Sequence, residues 1–308
     1  MLHYILQHIL PLAHLSPSRV DPTSPAPPPL TEYPDTFYTR TVSEPLLLAP
    51  TRLPAPSIDA DVCVVGGGLA GISTALGLVE RGCSVVLLEA SRVAAAASGM
   101  NGGMVIPGFA LDSDVLIARV GEERARVLHT WTLEAMKLMR TRIERHRIDC
   151  SLEQCGMVTL SLRAGAEAEE RVRIKKVNAV LGTQLELWPA QRVREVYRSP
   201  LYHHATLDPS VWSVHPLNLC LGLARVFVSQ GGHVFEKTRA VSIINNPCAS
   251  SEGAQSGKHR RWLVGTESAD GSRSNVQADH VVLAVGGLPG EIDGEISRSL
   301  VPFRTFIM

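Results

Sequence analysis

A chain of 308 residues that is 45% hydrophobic and 19% charged lies in the ordinary globular range, with apolar material for one large core or two small ones, which excludes disorder throughout. Lys plus Arg and Asp plus Glu both number 30, so the formal charge is zero and no global field draws the chain to nucleic acid or to an anionic membrane; a small-molecule partner is expected instead. None of the six cysteines (Cys63, Cys83, Cys150, Cys155, Cys220 and Cys248) forms a CxxC pair, so zinc and dithiol redox sites are excluded and the thiols read as small hydrophobes in a reducing compartment.

Met1 to Leu15 carry no formal charge and read as an unstructured leader, because secretory signals want an early positive charge and mitochondrial ones want several arginines. A cytoplasmic location is expected, with a mitochondrial one as the alternative. From Ser16 to Pro56 the sequence is dense in proline, with Pro27, Pro28 and Pro29 consecutive, so residues 1–56 form a largely irregular arm. Within it, Tyr33, Phe37 and Tyr38 either pack the arm onto a domain surface or stand exposed. At Asp61 the character changes. Val62–Val65 is a short buried strand, Gly66–Gly68 a turn, Leu69–Glu80 a helix ended by Gly82, and Ser84–Glu89 a second apolar strand. Strand, helix and strand in one sheet imply a right-handed parallel crossover. The uncharged run Val62–Val79 resembles a membrane span in hydropathy, but Gly66, Gly67, Gly68 and Gly71 interrupt it, so no span is expected.

Between Gly121 and His146, Leu128, Trp131, Ala135 and Leu138 recur at helical spacing among charges, which predicts a long amphipathic helix. A strand at Met157–Leu162, a charged helix from Ala164 to Leu181 and a helix opened by Pro189 and running through Tyr197 follow. These pieces read as an insertion, and residues 111–204 are assigned to a substrate or cap portion. Leu217–Gln230 reads as a helix stopped by Gly231 and Gly232, then a strand at His233–Glu236. Val241–Ile244, Trp262–Thr266 and Asn275–Ala278 suggest short antiparallel strands around a polar loop, Asn246–Arg260. His280–Val285, ended by Gly286 and Gly287, reads as a central strand. The predicted fold class is α/β: a Rossmann-like domain with a parallel sheet and crossover helices, built from 57–110 and 205–290, plus an incomplete α+β substrate domain, with 291–308 as a C-terminal end.

Gly66, Gly68 and Gly71 form GxGxxG between a strand and a helix. Gly66 permits the tight turn, Gly68 lets the backbone approach a pyrophosphate and Gly71 allows close helix packing, while the helix N-terminus supplies amides and positive dipole. Glu89 ends the second strand at the customary distance of about twenty residues, where a carboxylate accepts hydrogen bonds from ribose hydroxyls. The alternative is a structural turn beside a surface acid. An acid here also disfavours a nucleotide with a 2′-phosphate.

After Glu89 come Arg92 and then Ala97, Ser98, Gly99, Asn101, Gly102 and Gly103. This R…SGxNGG pattern resembles the second motif of the D-amino-acid oxidase superfamily, particularly its glycine oxidase, sarcosine oxidase and gamma-glutamylputrescine oxidoreductase branches. The resemblance runs from about Asp61 to Pro289. It implies FAD as cofactor, lined by Gly66, Gly68, Leu69, Ala70, Gly71, Glu89, Ala90, Ser91, Ala97, Ser98, Gly99, Asn101, Gly102 and Gly103. Ala240 or Val241 is implied to face the adenine through backbone atoms, and Gly286 and Gly287 to form a later turn near the dinucleotide. The sequence departs from the pattern at Met100, where many relatives of the polyamine-linked branch carry Arg, and at Ala94–Ala97, which replace a more varied segment. Asp208, Pro209, His215 and Pro216 resemble the family's return into the flavin domain; His215 is either near the flavin or a structural contact at the start of a helix.

The resemblance implies oxidation of the C–N bond of a small amine or amino acid by hydride transfer to the flavin, the imine being hydrolysed and the flavin reoxidised by oxygen. It names no catalytic side chain, no metal and no oligomeric state. Family members continue beyond the position of Met308, so a C-terminally truncated chain is expected. The alternatives are a non-catalytic remnant or pseudoenzyme with weak or no flavin binding, and an NAD-dependent dehydrogenase.

Overall fold

The computed structural model describes residues 32–44, 50, 52–54, 56–245, 261–287, 292 and 294–300; the expected leader, the proline run 27–29, the loop 246–260 and Cys248 lie outside the described residues. The first half of the chain carries α1 (Phe37–Arg40), β1 (Ser57–Val65), α2 (Leu69–Val79), β2 (Val85–Leu88), β3 (Met104–Val105), α3 (Ser113–Val120) and α4 (Glu122–His146). Then come β4 (Met157–Ser161), α5 (Glu167–Leu181), β5 (Glu186–Trp188), α6 (Ala190–Tyr197), β6 (His204–Asp208) and β7 (Trp212–Ser213). The last third supplies α7 (Pro216–Ser229), β8 (His233–Phe235), β9 (Thr238–Asn245), β10 (Trp262–Ser268), β11 (Arg273–Leu283) and α8 (Gly294–Ser299).

The expected α/β architecture is present. Six strands form one sheet in the order β8-β2-β1-β11-β10-β9. Its β8, β2, β1 and β11 pairings are parallel, and β11-β10-β9 is antiparallel. On one face Val62, Val64, Val85 and Leu87 pack with Ile72 and Leu76 of α2 and with Leu217, Leu221 and Phe227 of α7. Each fully buried side chain of this kind contributes about 1.5–3 kcal/mol, so these two helices and the parallel strands make a rigid base. On the other face Cys63, Val65, Val86 and Leu88 cluster with Phe235, Ala240, Val264, Val276 and Ala278. The antiparallel arm of the sheet thus covers the face that the helices leave free.

Two readings of the sequence require correction. The stretches 275–278 and 280–285 are not separate strands but one, β11, parallel to β1 from Ser57↔Asn275 to Val65↔Leu283. The alternation that suggested a break has a structural cause. Ala60 and Ala278 face the same cluster as Cys63 and Val281, so both strands change side-chain parity together at Asp61 and Asp279. The second correction concerns α4: Trp131 and Leu138 are exposed, and the buried face is Ala125, His129, Arg142 and Ile143, with Met136 and Met139 partly covered.

The segment between β3 and β7 builds its own three-stranded antiparallel sheet, β4-β6-β5. Its α5 packs on α3 and α4 through Ile117, Ala125, Val177, Val180 and Leu181, and the Glu170 carboxylate takes bonds from Arg173 and from Thr206 of β6. The far end of α4 is tied to the parallel sheet's helix layer by Arg142, which donates to Glu80 at 2.6 Å. Among the described residues no helix is long and apolar enough to cross a membrane.

Candidate functional site

β1, β2 and β11 converge at the glycine turn. Gly66 donates its amide to Leu88 O at 2.8 Å and adopts φ +110°, and any side chain there would run into the Ala284 carbonyl. Ala284 in turn donates to Val65 O at 2.8 Å. A Cβ at Gly71 would overlap the Gly66 carbonyl oxygen, so α2 rests directly on the turn. Gly68 is the N-cap of α2, and a Cβ there would meet only the Ser98 side chain, with Oγ at 2.9 Å. That hydroxyl accepts from Leu69 N at 2.9 Å. The amides of Gly68, Ala70 and Gly71 have no acceptor among the described residues. Unpaired amides at the positive end of a helix form a site for an anion.

Glu89 lies beside this turn, half-buried. Its Oε2 accepts from Gly67 N at 2.7 Å and its Oε1 from Ser91 N at 2.8 Å. Burial pushes its pKa above the ordinary carboxylate value of 4.5, while the two amides pull the other way. The Glu89 backbone bridges two strands, donating to Phe235 O and accepting from Thr238 N, both at 2.9 Å. Two positions beyond Thr238, Ala240 turns its side chain into the core and Val241 faces outward. Ala90 is exposed, and Ser91 is buried with its carbonyl taken by Lys237 N.

The loop from Ser91 to Gly103 forms the second wall. Arg92 and Val93 are held by Glu236, a carboxylate with no exposure, which accepts from Val93 N at 2.7 Å and from Arg92 Nη1 at 2.8 Å. Ala94 adopts φ +59° and donates to Gly67 O at 3.0 Å, so the departure at Ala94 is a tight crossing under the glycine turn. Asn101 then closes the loop on itself: Nδ2 donates to Ala97 O and Ser98 O, and Oδ1 accepts from Gly103 N at 2.8 Å. Gly99 is buried against Ala94 and Leu217, Gly102 faces open space, and Gly103 accepts from Val214 N. Hydrogen bonds therefore join residues 66–71, 89–91 and 97–103 into one locus. Ala240 joins it at one remove through Thr238, whereas Gly286 and Gly287 form an exposed turn just after Ala284.

Between these walls lies a cleft of about 100 Å³ floored by Leu69, Ser98, Asn101, Gly103, Pro216 and Cys220. Burial pushes the Cys220 thiol up to about 12, so it stays protonated. A larger hollow of about 450 Å³, lined by Arg52, Leu53, Pro54, Pro56, Arg273 and Ser274, sits at the opposite, N-terminal end of β1. Ligands of open α/β sheets bind outside the carboxyl ends of the parallel strands, which favours the smaller cleft. His215 is the N-cap of α7: Nδ1 accepts from Asn218 N at 3.1 Å and Nε2 lies 3.1 Å from Thr41 Oγ1. That geometry gives it the structural role of the two foreseen. Sequence reasoning missed the Ser98 cap and the Glu236 anchor; neither carries a local signal, because their partners come from other segments.

A glycine turn, a strand-end acid and a second glycine loop on this sheet define a dinucleotide-binding oxidoreductase fold, and the chain belongs to the family described as DAO, FAD dependent oxidoreductase, which matches residues 61–308. It is 37% identical over 281 residues to gamma-glutamylputrescine oxidoreductase of Escherichia coli (strain K12), covering 91% of this chain and 61% of that protein. It is 32% identical over 255 residues to the probable oxidoreductase OrdL of Haemophilus influenzae, covering 81% of this chain and 55% of that one. Among solved structures, glycine oxidase from Geobacillus kaustophilus shares the fold with a TM-score of 0.57 at 21% identity, over 78% of this chain and 58% of its own. The chain therefore spans about three-fifths or less of the length of these relatives.

Proposed function

We propose that the chain binds FAD with its diphosphate on the Gly66–Gly71 turn and its ribose on Glu89, as part of a protein that oxidises the C–N bond of a small amine or amino acid. The observation that carries this reading is the set of unpaired amides at Gly68, Ala70 and Gly71, with the Glu89 carboxylate fixed to the same turn at 2.7 Å. Amides and helix dipole suit a diphosphate, and two lone pairs left on Glu89 suit ribose hydroxyls. The Glu89 backbone leads into β9, so the adenine would extend toward Ala240 and Val241. The cleft at Ser98–Gly103 would take part of the other end; at about 100 Å³ it is too small to enclose a whole dinucleotide. Bound FAD would supply the two-electron acceptor that the protein's own side chains lack. The residues of this chain do the holding: Asn101 and Glu236 fix the loop, and α7 with Pro216 and Cys220 excludes water from one side. The substrate class rests on the relatives, of which one is named for gamma-glutamylputrescine.

The test is to purify the chain and identify by mass any cofactor released on denaturation, with absorbance near ~450 nm as the first readout. Gly68→Val, by filling the approach to the amides, and Glu89→Ala, by removing the ribose acceptor, are expected to lose or weaken flavin retention. Unchanged flavin content in both variants sinks the placement. Peroxide formation from amines, measured on the same preparation, separates a turning-over enzyme from a binding fragment.

A further inference from the structure

Residues 32–44 precede the first strand and lie outside the matched family region, yet they tie the Ser91–Gly103 wall of the cleft to α7, which supplies part of its floor. On the loop side, Tyr33 donates its hydroxyl to Val93 O at 2.8 Å and Tyr38 to Asn101 O at 2.6 Å. The Glu32 carboxylate takes Arg92 and Lys237 from the same loop and its neighbour. On the helix side, Thr41 meets His215, and the amides of Ser43 and Glu44 donate to Asn218 Oδ1 at 3.1 and 3.3 Å. Asn218 Nδ2 donates to Ser43 Oγ at 2.8 Å, so both polar atoms of the carboxamide of a residue 1% exposed bond to this segment. Glu44, 6% exposed, pairs with Arg225 at 2.8 Å and accepts from Asp149 N. Buried polar groups satisfied in this way mark an integral part of the fold, not a tail. A match of 281 residues to the Escherichia coli relative in a chain of 308 necessarily takes in 32–44.

We propose that residues 32–44 are a strap that fixes the loop wall of the cleft against the α7 floor, with Tyr33 and Tyr38 as positioning residues that hold Val93–Asn101 in its cofactor-binding form. The inference rests on the flavin reading only for what the cleft holds. The loop it pins has bends and turns but no regular structure, so its shape depends on side-chain bonds such as these. Each tyrosine bond of this kind shifts a local opening equilibrium roughly five-fold.

The test is the Tyr33→Phe/Tyr38→Phe protein, which keeps both rings and their packing. Amide hydrogen exchange at residues 92–103 is expected to accelerate roughly ten- to thirty-fold, with the thermal midpoint lowered by about 4 °C. FAD affinity, read by flavin fluorescence on the apoprotein, is expected to fall by a smaller factor, about two- to three-fold, because affinity follows the closed fraction of the loop and not the opening equilibrium itself. Thr41→Val, made separately, should loosen the start of α7 and speed exchange at 215–219. Unchanged exchange at 92–103 in the double variant overturns the strap, whatever the protein binds. Wild-type protein that takes up no FAD overturns the cofactor reading alone. Faster exchange with undiminished FAD affinity overturns the positioning role of the two tyrosines.

Discussion

At Glu89 two physical demands oppose each other. Its carboxylate accepts most strongly when charged, from Gly67 N and, under the proposed function, from a ribose, yet burial raises its pKa above the usual 4.5. A raised pKa means that acid neutralises this group before an ordinary surface glutamate, so flavin affinity should decline on the acidic side sooner than in a protein with an exposed acid there. Equilibrium dialysis across pH 4 to 7, about the carboxylate range, measures this, and Glu89→Gln should flatten the profile. His215 carries a second pH dependence, of stability. Desolvation lowers its pKa below the ordinary 6.5 against backbone hydrogen bonds that raise it, and its Nδ1 must be unprotonated to accept from Asn218 N and cap α7. A folded pKa below the unfolded one gives a stabilisation complete above pH 6.5 and lost as pH falls through the folded value. His215→Ala should cost about 1 kcal/mol near neutral pH, and His215→Asn, another capping residue, should restore most of it in chemical denaturation.

Among the elements, α4 joins the small antiparallel sheet's helices to the core of the parallel one, and the Arg142–Glu80 bond lies at that junction. Arg142→Ala should destabilise by about 2 kcal/mol, and a cycle with Glu80→Ala should show coupling of about 1 kcal/mol; strict additivity would show that packing alone makes the joint. The face that α4 buries was not legible in the sequence. Leu128, Trp131 and Leu138 offered the more apolar stripe, but neighbouring elements cover Ala125, His129 and Ile143 instead. By contrast, the end of β1, the glycine turn, α2 and β2 were legible, because each residue there answers a local steric need: φ at Gly66, contact at Gly71, burial at Val62–Val65; the first part of β1, Ser57–Asp61, was not read as strand. β11 was read as two strands because its alternation fails at Asp279, where the parity of the neighbouring strand changes with it. Packing of the arm through its aromatics was one of two readings open in the sequence, and it holds for Tyr33 and Tyr38 but not for the exposed Phe37; their acceptors were not legible, because Tyr33 and Val93 are 60 positions apart and no local pattern announces a hydroxyl's distant acceptor.

For the molecule as a whole, ligand binding and folding are linked. FAD at a hundredfold excess over its dissociation constant should add about 2.7 kcal/mol and raise the unfolding midpoint by on the order of 5 °C. Gly68→Val should show no such rise in a thermal scan, although its own midpoint is free to differ. A wild-type midpoint indifferent to FAD contradicts the site.

β11 places one more demand on the molecule. It lies between β1 and β10 and roofs the Gly66 turn through Ala284, yet Gln277 and Ser57, bonded across this pairing, are 220 positions apart in the chain. A ribosome adding 5–20 residues each second needs roughly ten to forty-five seconds to deliver the second strand after the first. During that interval the apolar flank of β1 has no neighbour on one side, and the nucleotide cradle has no ceiling. Until then only α2 and β2 shield Val62–Val65, and under the proposed function FAD would be held only after synthesis has passed residue 284.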